Sequence, residues 1–462
     1  MKTKNYFLTV FLCILFNVTN QKAYSQCYDK IVVSQWQSAT LRTNGTLWIW
    51  GNNYYGQLGD GTIVGKDVPI QIGTSTNWQD IDVHFLHSIG INNGSLYAWG
   101  KNDVGQLGDG TLINKPVPTQ IGSATNWKSV AAGEDYSLAI KINGTLWSFG
   151  RNNSGQLGTG NTINSNVPVQ VGTDTNWLKV AAGSKHAVAL KTDGTLWAWG
   201  AATPLGGTSA GAVSIPTQIG VASNWKEISI FYEHALALKN DGTMWSWGFN
   251  FLGQLGTGNS PTSELNNNPM QIGIGTWRHI SAGRDFSIAI KTNGTLWAWG
   301  LNDDGQYGNN TVISSTTPIQ IGTATNWRTV EAGYAHCLSK KIATDQLWVW
   351  GKDPFGVLGL GNIGNQLVPV VNGTCTTLKD INFNYIDNSA SIFPNPANSY
   401  IKITTSDNSK IYNIKIINLL GKNVLDIKTD FDFVDVSMLE QSLYIIEVKT
   451  NNSTSFLKFI KN

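Results

Sequence analysis

Four acidic residues, Glu134, Asp135, Glu233 and Asp285, stand at corresponding points of a repeating frame. Carboxylates brought together in one cleft could exchange protons as a general acid and base. The flanking composition argues against this use, because the four lie in short loops, where acids are ordinarily solvated, and no Ser-His-Asp set shares the frame. Four histidines, His87, His186, His234 and His336, occupy one repeat position, as a ring of metal ligands would. The other repeats place Gln37, Tyr136 and Phe286 there, and a phenyl ring offers no ligand, so the position reads as a repeated structural side chain. The Gly-rich GQLGDGT at Gly56 and Gly105 lacks the lysine of a phosphate loop and reads as a turn. Asn-Gly-Thr at Asn44, Asn143 and Asn293 fits the glycosylation pattern, but a hairpin turn already accounts for it. No catalytic residue, metal or cofactor is expected.

The frame that positions these residues repeats about every fifty residues. NGTLWIWG ends at Gly51 and returns, with variation, at Gly100, Gly150, Gly200, Gly248, Gly300 and Gly351. Around each copy stand Gly-Gln-Leu-Gly, Pro-x-Gln-Ile-Gly, Asn-Trp and an alternating run such as VAAGSKHAVALK. Such a period marks a repeat architecture. Asn-Gly or Asp-Gly between two alternating runs predicts a two-residue hairpin with both central residues at positive φ. Alternation puts Leu196 and Ala198 on one face of a strand and Trp197 and Trp199 on the other, as a sheet sandwiched between two neighbours requires. Four short strands per repeat, arranged radially, make a propeller.

Positions that change inside a constant frame are not needed for the fold. The most variable pair follows the Ala-Gly position, and its seven loops are expected on one face around the axis. Trp36, Phe85, Glu134, Asp135, Lys185, Tyr232, Arg284, Asp285 and Tyr334 fall there, and aromatic residues and arginine are the types that anchor partners. The four aromatic anchors are expected to be exposed.

The units, with Ala-Gly-x-x-His, Asp-Gly-x-x-x-x-Trp-Gly and Gly-Gln-Leu-Gly at this spacing, resemble the regulator-of-chromosome-condensation repeat family. The resemblance covers 27–383 and implies a seven-bladed β-propeller. TTLKDINF at 376–383 and CYDKIVV at 27–33 both echo TNWQDIDV at 76–83, which predicts that the two chain ends share one blade. The repeat carrying Pro204-Leu205-Gly206-Gly207 in place of Gly-Gln-Leu-Gly is expected to have an atypical loop. The family's eukaryotic founder is a guanine nucleotide exchange factor that binds chromatin, and secreted bacterial relatives include inhibitors that grip β-lactamases.

Both ends of the chain point to export. Lys2 and Lys4 precede an apolar run from Tyr6 to Phe16 and small residues Ala23 and Ser25, the pattern of a signal peptide over 1–25. None of the 19 tryptophans lies beyond Trp350, and 389–462 reads as a small antiparallel β-sandwich. Its Phe393-Pro394-Asn395-Pro396, Leu419-Leu420-Gly421-Lys422, Leu443-Tyr444-Ile445-Ile446 and basic-apolar end resemble the subtype A C-terminal sorting domain of the Bacteroidetes type IX secretion system. That implies contact with the secretion machinery and a secreted or outer-surface location. Lys and Arg total 32 against 30 for Asp and Glu, and 13% of residues are charged, so the footprint of a nucleic-acid binder is missing. No segment is long and apolar enough for a transmembrane helix. Of four cysteines, Cys13 leaves with the signal peptide and Cys337 falls in an inner strand as a buried thiol, so Cys27 and Cys375 are expected to form a disulfide at ring closure. The sequence therefore predicts an all-β chain, a seven-bladed propeller followed by a small sandwich, that acts as a monomer. It binds a protein or glycan through its axial loop face. An extracellular enzyme using the loop carboxylates and an exchange factor are the alternative functions.

Overall fold

Short alternating runs punctuated by Gly turns fold here into four-stranded antiparallel sheets, seven of them in sequence. The computed structural model describes residues 28–201, 212–258, 266–342 and 346–374, and 390–461 apart from 406–408, 419–422, 432 and 452–453. Each sheet is one blade, and its innermost strand comes first: Tyr28–Val33, Trp78–His84, Trp127–Ala132, Trp177–Ala182, Trp225–Ile230, Trp277–Ala282 and Trp327–Ala332 in blades 1 to 7.

The shared blade expected from 27–33 and 376–383 rests in part on 376–383, which lie outside the described residues. Tyr28–Val33 fills the innermost position of blade 1, and Gln366–Thr374 is the outermost strand of blade 7, so each blade is made of four consecutive strands. Among the described residues, side-chain and backbone hydrogen bonds join blade 7 to blade 1. Lys340 Nζ donates to the carbonyls of Tyr28 and Asp29 at 2.9 and 2.8 Å, Trp50 Nε1 donates to Val357 O at 2.7 Å, and Gly361 N donates to Asp67 O at 2.9 Å. Tyr28, Ile31, Val33 and Trp50 pack with Leu338, Val349 and Leu358 beneath these bonds. The echo of the repeat at 376–383, the loop of Pro204-Leu205-Gly206-Gly207, residues 1–25, Cys27 and Cys375 lie outside the described residues.

Between blades the predicted alternation holds. Trp199 and Trp197 pack into the cluster shared with blade 3, whereas Leu196 and Ala198 pack into the cluster shared with blade 5. The histidine position is an inter-blade peg: the ring nitrogens of His87, His234 and His336 lie 2.9, 2.8 and 3.1 Å from the hydroxyls of Ser137, Ser287 and Ser38 on the next blade. Burial lowers the pKa of each of these imidazoles to about 3, so they stay neutral.

The hairpins depart from the two-residue turn. Asn93 and Gly94 alone take φ 49 and 75 as a pair and sit between paired Asn92 and Ser95. In the other described hairpins the loop has three residues: Gly45 N donates to Arg42 O and Arg42 N to Thr46 O, and only the glycine takes positive φ, 74. This is the turn with one bulged glycine. Asn44 Oδ1 accepts from Thr46 N and Oγ1, and Thr46 Oγ1 in turn accepts from Trp48 Nε1 at 3.0 Å, so the Asn-Gly-Thr triplet is consumed by the turn itself.

The C-terminal region has two sheets. Ala390–Phe393, Tyr400–Thr405 and Val434–Asp435 form one, and Asn423–Ile427, Ile411–Asn418, Ser442–Thr450 and Thr454–Lys461 the other. Ile401, Ile403, Ile414, Ile416, Val448 and Phe459 fill the space between them. Among the described residues no helix is long and apolar enough to cross a membrane.

Candidate functional site

In every blade the loop after the innermost strand and the loop after the Trp-Gly lie on one face, because the second and third strands pair across them, as Gln37 pairs with Gly51. Asn52 N donates to Trp36 O at 2.7 Å and ties the two loops together. The hairpin turns and Asn-Trp segments occupy the opposite face, joined by bonds such as Trp78 N to Gly45 O.

On the loop face, at the side of blades 1, 2 and 7, the aromatic rings make a ridge. Tyr54 meets Phe355 at 6.0 Å between centroids, Phe355 meets Trp36 at 6.1 Å, and Trp36 meets Phe85 at 6.4 Å, all edge to face. Tyr54 is 66% and Phe355 40% exposed. A second cluster places the Arg284 guanidinium 4.3 Å from the Tyr334 ring and 5.5 Å from that of Tyr232. Trp36, Phe85, Tyr232 and Tyr334 are half-buried rather than exposed, because the loops of neighbouring blades lean on them. Tyr334 N, for example, donates to Ser34 O, and Arg284 N to Gly333 O.

The acids lie on blades 3, 5 and 6, those of blades 5 and 6 beside the second aromatic cluster. Asp135 is buried and neutralised by Arg151 Nη2 at 2.9 Å and Lys101 Nζ at 3.3 Å, with Gln106 Nε2 at 3.4 Å. Glu134 and Glu233 are half-buried. Burial and a neighbouring carboxylate, Asp135 for one and Asp285 for the other, raise their pKa values, while the exposed Lys185 pulls both back. Burial also raises Asp285, and Arg284 Nε at 3.2 Å offsets it.

Sequence reasoning missed the axis. Alternate residues of the innermost strands point into it and line a cavity of about 210 Å³. His84 and Phe231, with ring centroids 5.0 Å apart, plug its loop-face end where four blades have Gly133, Gly183, Gly283 and Gly333. Below them the side chains staple one blade to the next. Asp80 and Asp82 accept from Val130 N and Ala132 N at 2.9 and 2.8 Å, and Ser229 and Ser281 accept from Ala282 N and Ala332 N, each at 2.9 Å. His279 is held between Glu227 at 3.0 Å and Glu331 at 3.4 Å. Burial opposes its charging, but the two carboxylates win and raise its pKa to about 10.

Residues 44–90, 93–140, 143–190, 241–290 and 293–339, more than half of the chain, match the regulator of chromosome condensation (RCC1) repeat. The chain belongs to the RCC1 repeat family. A second form of the repeat matches 127–156, 227–254 and 277–306, and 391–462 match the secretion system C-terminal sorting domain of type IX export. Human WBSCR16 shares the propeller, with a TM-score of 0.65 and 20% identity over 71% of this chain and 94% of that one. Prp20p of Saccharomyces cerevisiae follows it at 0.58 and 19% over 66% and 80%. Among curated relatives, human HERC6, a probable E3 ubiquitin-protein ligase, is 33% identical over 84 residues, 18% of this chain and 8% of that protein. The Arabidopsis thaliana ultraviolet-B receptor UVR8 is 28% identical over 93 residues, 20% and 21% respectively. The chain thus aligns with about a fifth or less of these relatives' lengths.

Within the RCC1-type frame, the exposed part of the ridge comes from the loop after Trp-Gly, where Tyr54 and Phe355 stand at positions that are aromatic in one other repeat each, as Phe251 and Tyr55, and polar or aliphatic in the rest. Their departure from the frame was the available signal. The axial residues left a fainter one, a polar or charged residue two places after Trp in most innermost strands.

Proposed function

We propose that this protein is an exported RCC1-repeat binding module whose loop face seats a partner protein, with the ridge from Tyr54 through Phe355 and Trp36 to Phe85 as its anchor. The observation that carries the reading is backbone strain. Phe85 and Phe355 take φ 40 and 67, left-handed values that cost a bulky residue about 1–3 kcal/mol. Their counterparts among the described residues of the other repeats avoid such values, so the frame does not demand them. Both press on Trp36. Strain retained beside an exposed aromatic ridge fits a surface maintained for a partner.

The sorting domain marks the chain for type IX secretion, so the partner is to be sought outside the cell or on its surface. Prp20p, of the same fold, is described by its binding to Gsp1p and histones, which supports protein binding as a use of such propellers. A glycan partner would engage the same rings. The carrying experiment is Phe355→Gly, which removes the ring and accepts the backbone angle: partner affinity falls at least tenfold while thermal stability holds or rises. Undiminished affinity refutes the anchor.

A second reading, hydrolysis of glycans or peptides, draws on Glu134 and Glu233, carboxyls whose pKa values rise within reach of one lysine. It requires activity of the purified protein that Glu134→Gln or Glu233→Gln abolishes.

A further inference from the structure

The turn face, opposite the loop face, carries a clamp of two aromatic rings and a cation that recurs from blade to blade. The tryptophan that opens the innermost strand pairs in register with the last residue of the second strand, as Trp127 with Lys141 and Trp177 with Lys191. The third strand adds a second ring. The Lys141 ammonium lies 4.7 Å from the Trp127 centroid and 4.1 Å from that of Trp147. Lys239 repeats this in blade 5 at 4.7 and 4.0 Å, Lys341 in blade 7 at 4.4 and 3.6 Å, and blades 4 and 6 follow. Blade 1 uses Arg42, 3.7 Å from the Trp48 ring. Among the described residues only Lys191 of the five lysines also meets a carboxylate, Asp174 at 2.7 Å, so in the other blades the rings face the charge without one.

Blade 2 keeps the rings and lacks the cation. Trp78 and Tyr97 stand 5.7 Å apart and edge to face, as Trp127 and Trp147 do at 6.1 Å and Trp225 and Trp245 at 5.8 Å. The lysine's place opposite Trp78 is taken by Asn92. Its side chain is shorter and uncharged, and Nδ2 donates to Ser75 Oγ at 2.8 Å. Among the described residues no cation lies over either ring. We propose that the Trp78–Tyr97 pair is a binding site for a small primary alkylammonium ion, which takes the place that a lysine of the chain fills in blades 3 to 7. The negative ring faces select a cation over an anion or a neutral amine. The straight stem and the single ammonium follow from the group replaced, whose methylenes lie along the same aromatic surface. Entry is from solvent, because Tyr97 is only half-buried and Asn93, beside Asn92, is exposed. The site shares no residue with the ridge of the loop face.

The test titrates the intact protein with n-butylammonium, the lysine side chain cut from its backbone, and follows the ligand by saturation-transfer NMR at neutral pH. Saturable binding is expected, and n-butanol, the uncharged control of the same shape, should show none. Asn92→Lys supplies the tethered cation that five blades already carry, so it folds; it should abolish binding of the probe and raise the unfolding temperature. Tyr97→Ala, which removes one ring, should weaken binding at least fivefold. Absence of saturable binding to the wild type, equal binding of n-butanol, or unchanged affinity in folded Asn92→Lys overturns the site.

Discussion

His279→Gln removes the cation from between two axial carboxylates, Glu227 and Glu331, and its cost should depend on pH in a direction that the structure fixes. The imidazole rises from 6.5 to about 10 on folding, which converts to roughly 5 kcal/mol at 1.36 kcal/mol per unit. The side chains of His279, Glu227 and Glu331 are 17, 15 and 33% exposed, and solvent screening reduces this to about 2–3 kcal/mol. A base whose pKa is raised in the folded state contributes fully below its unfolded value and loses that contribution as pH climbs to the folded one. The wild type should therefore exceed the variant most at pH 6, less at pH 8, and hardly at all near pH 10. Thermal unfolding followed by tryptophan fluorescence reads this as a gap of roughly 4–6 °C at pH 6, at about 2 °C per kcal/mol for a large domain. A gap that stays constant from pH 6 to 10, or that widens with pH, would show that the ion pair does not hold the axis together.

Gly45→Ala should destabilise the propeller by about 2 kcal/mol or more, since the residue sits at φ 74 and an added Cβ would lie 1.8 Å from the carbonyl oxygen of Thr76; urea unfolding measures it. Deleting the chain from residue 389 onward should leave a folded propeller inside the cell, and its appearance in the medium at the normal rate would contradict the role of the sorting domain. Non-reducing mass spectrometry of exported protein should find Cys27 joined to Cys375, and two free thiols would exclude that bridge.

The propeller was legible because its determinants are local and repeated seven times: Trp199 and Leu196 declare opposite faces of one strand, and Gly45 declares a turn. Where the reading failed, non-local packing decided. The echo at 376–383 lies outside the described residues, and the contacts of Lys340 with Tyr28 and of Trp50 with Val357, which join blades 7 and 1, left no signal in the sequence. Trp36 falls on the loop face, but it is half-buried against Phe355, more than three hundred residues away in sequence and adjacent only once the ring is closed. The stapling role of Asp82 and Ser281 was invisible for the same reason, since each acts on the backbone of the following blade.

Binding through the loop face is tested most directly by hydrogen–deuterium exchange of the exported propeller with and without its captured partner. Slowed exchange is expected at 34–36, 52–56, 85–86 and 353–356, the segments that carry the ridge. Protection confined to the opposite face, at turns such as 43–45 and 142–144, would contradict the proposed site.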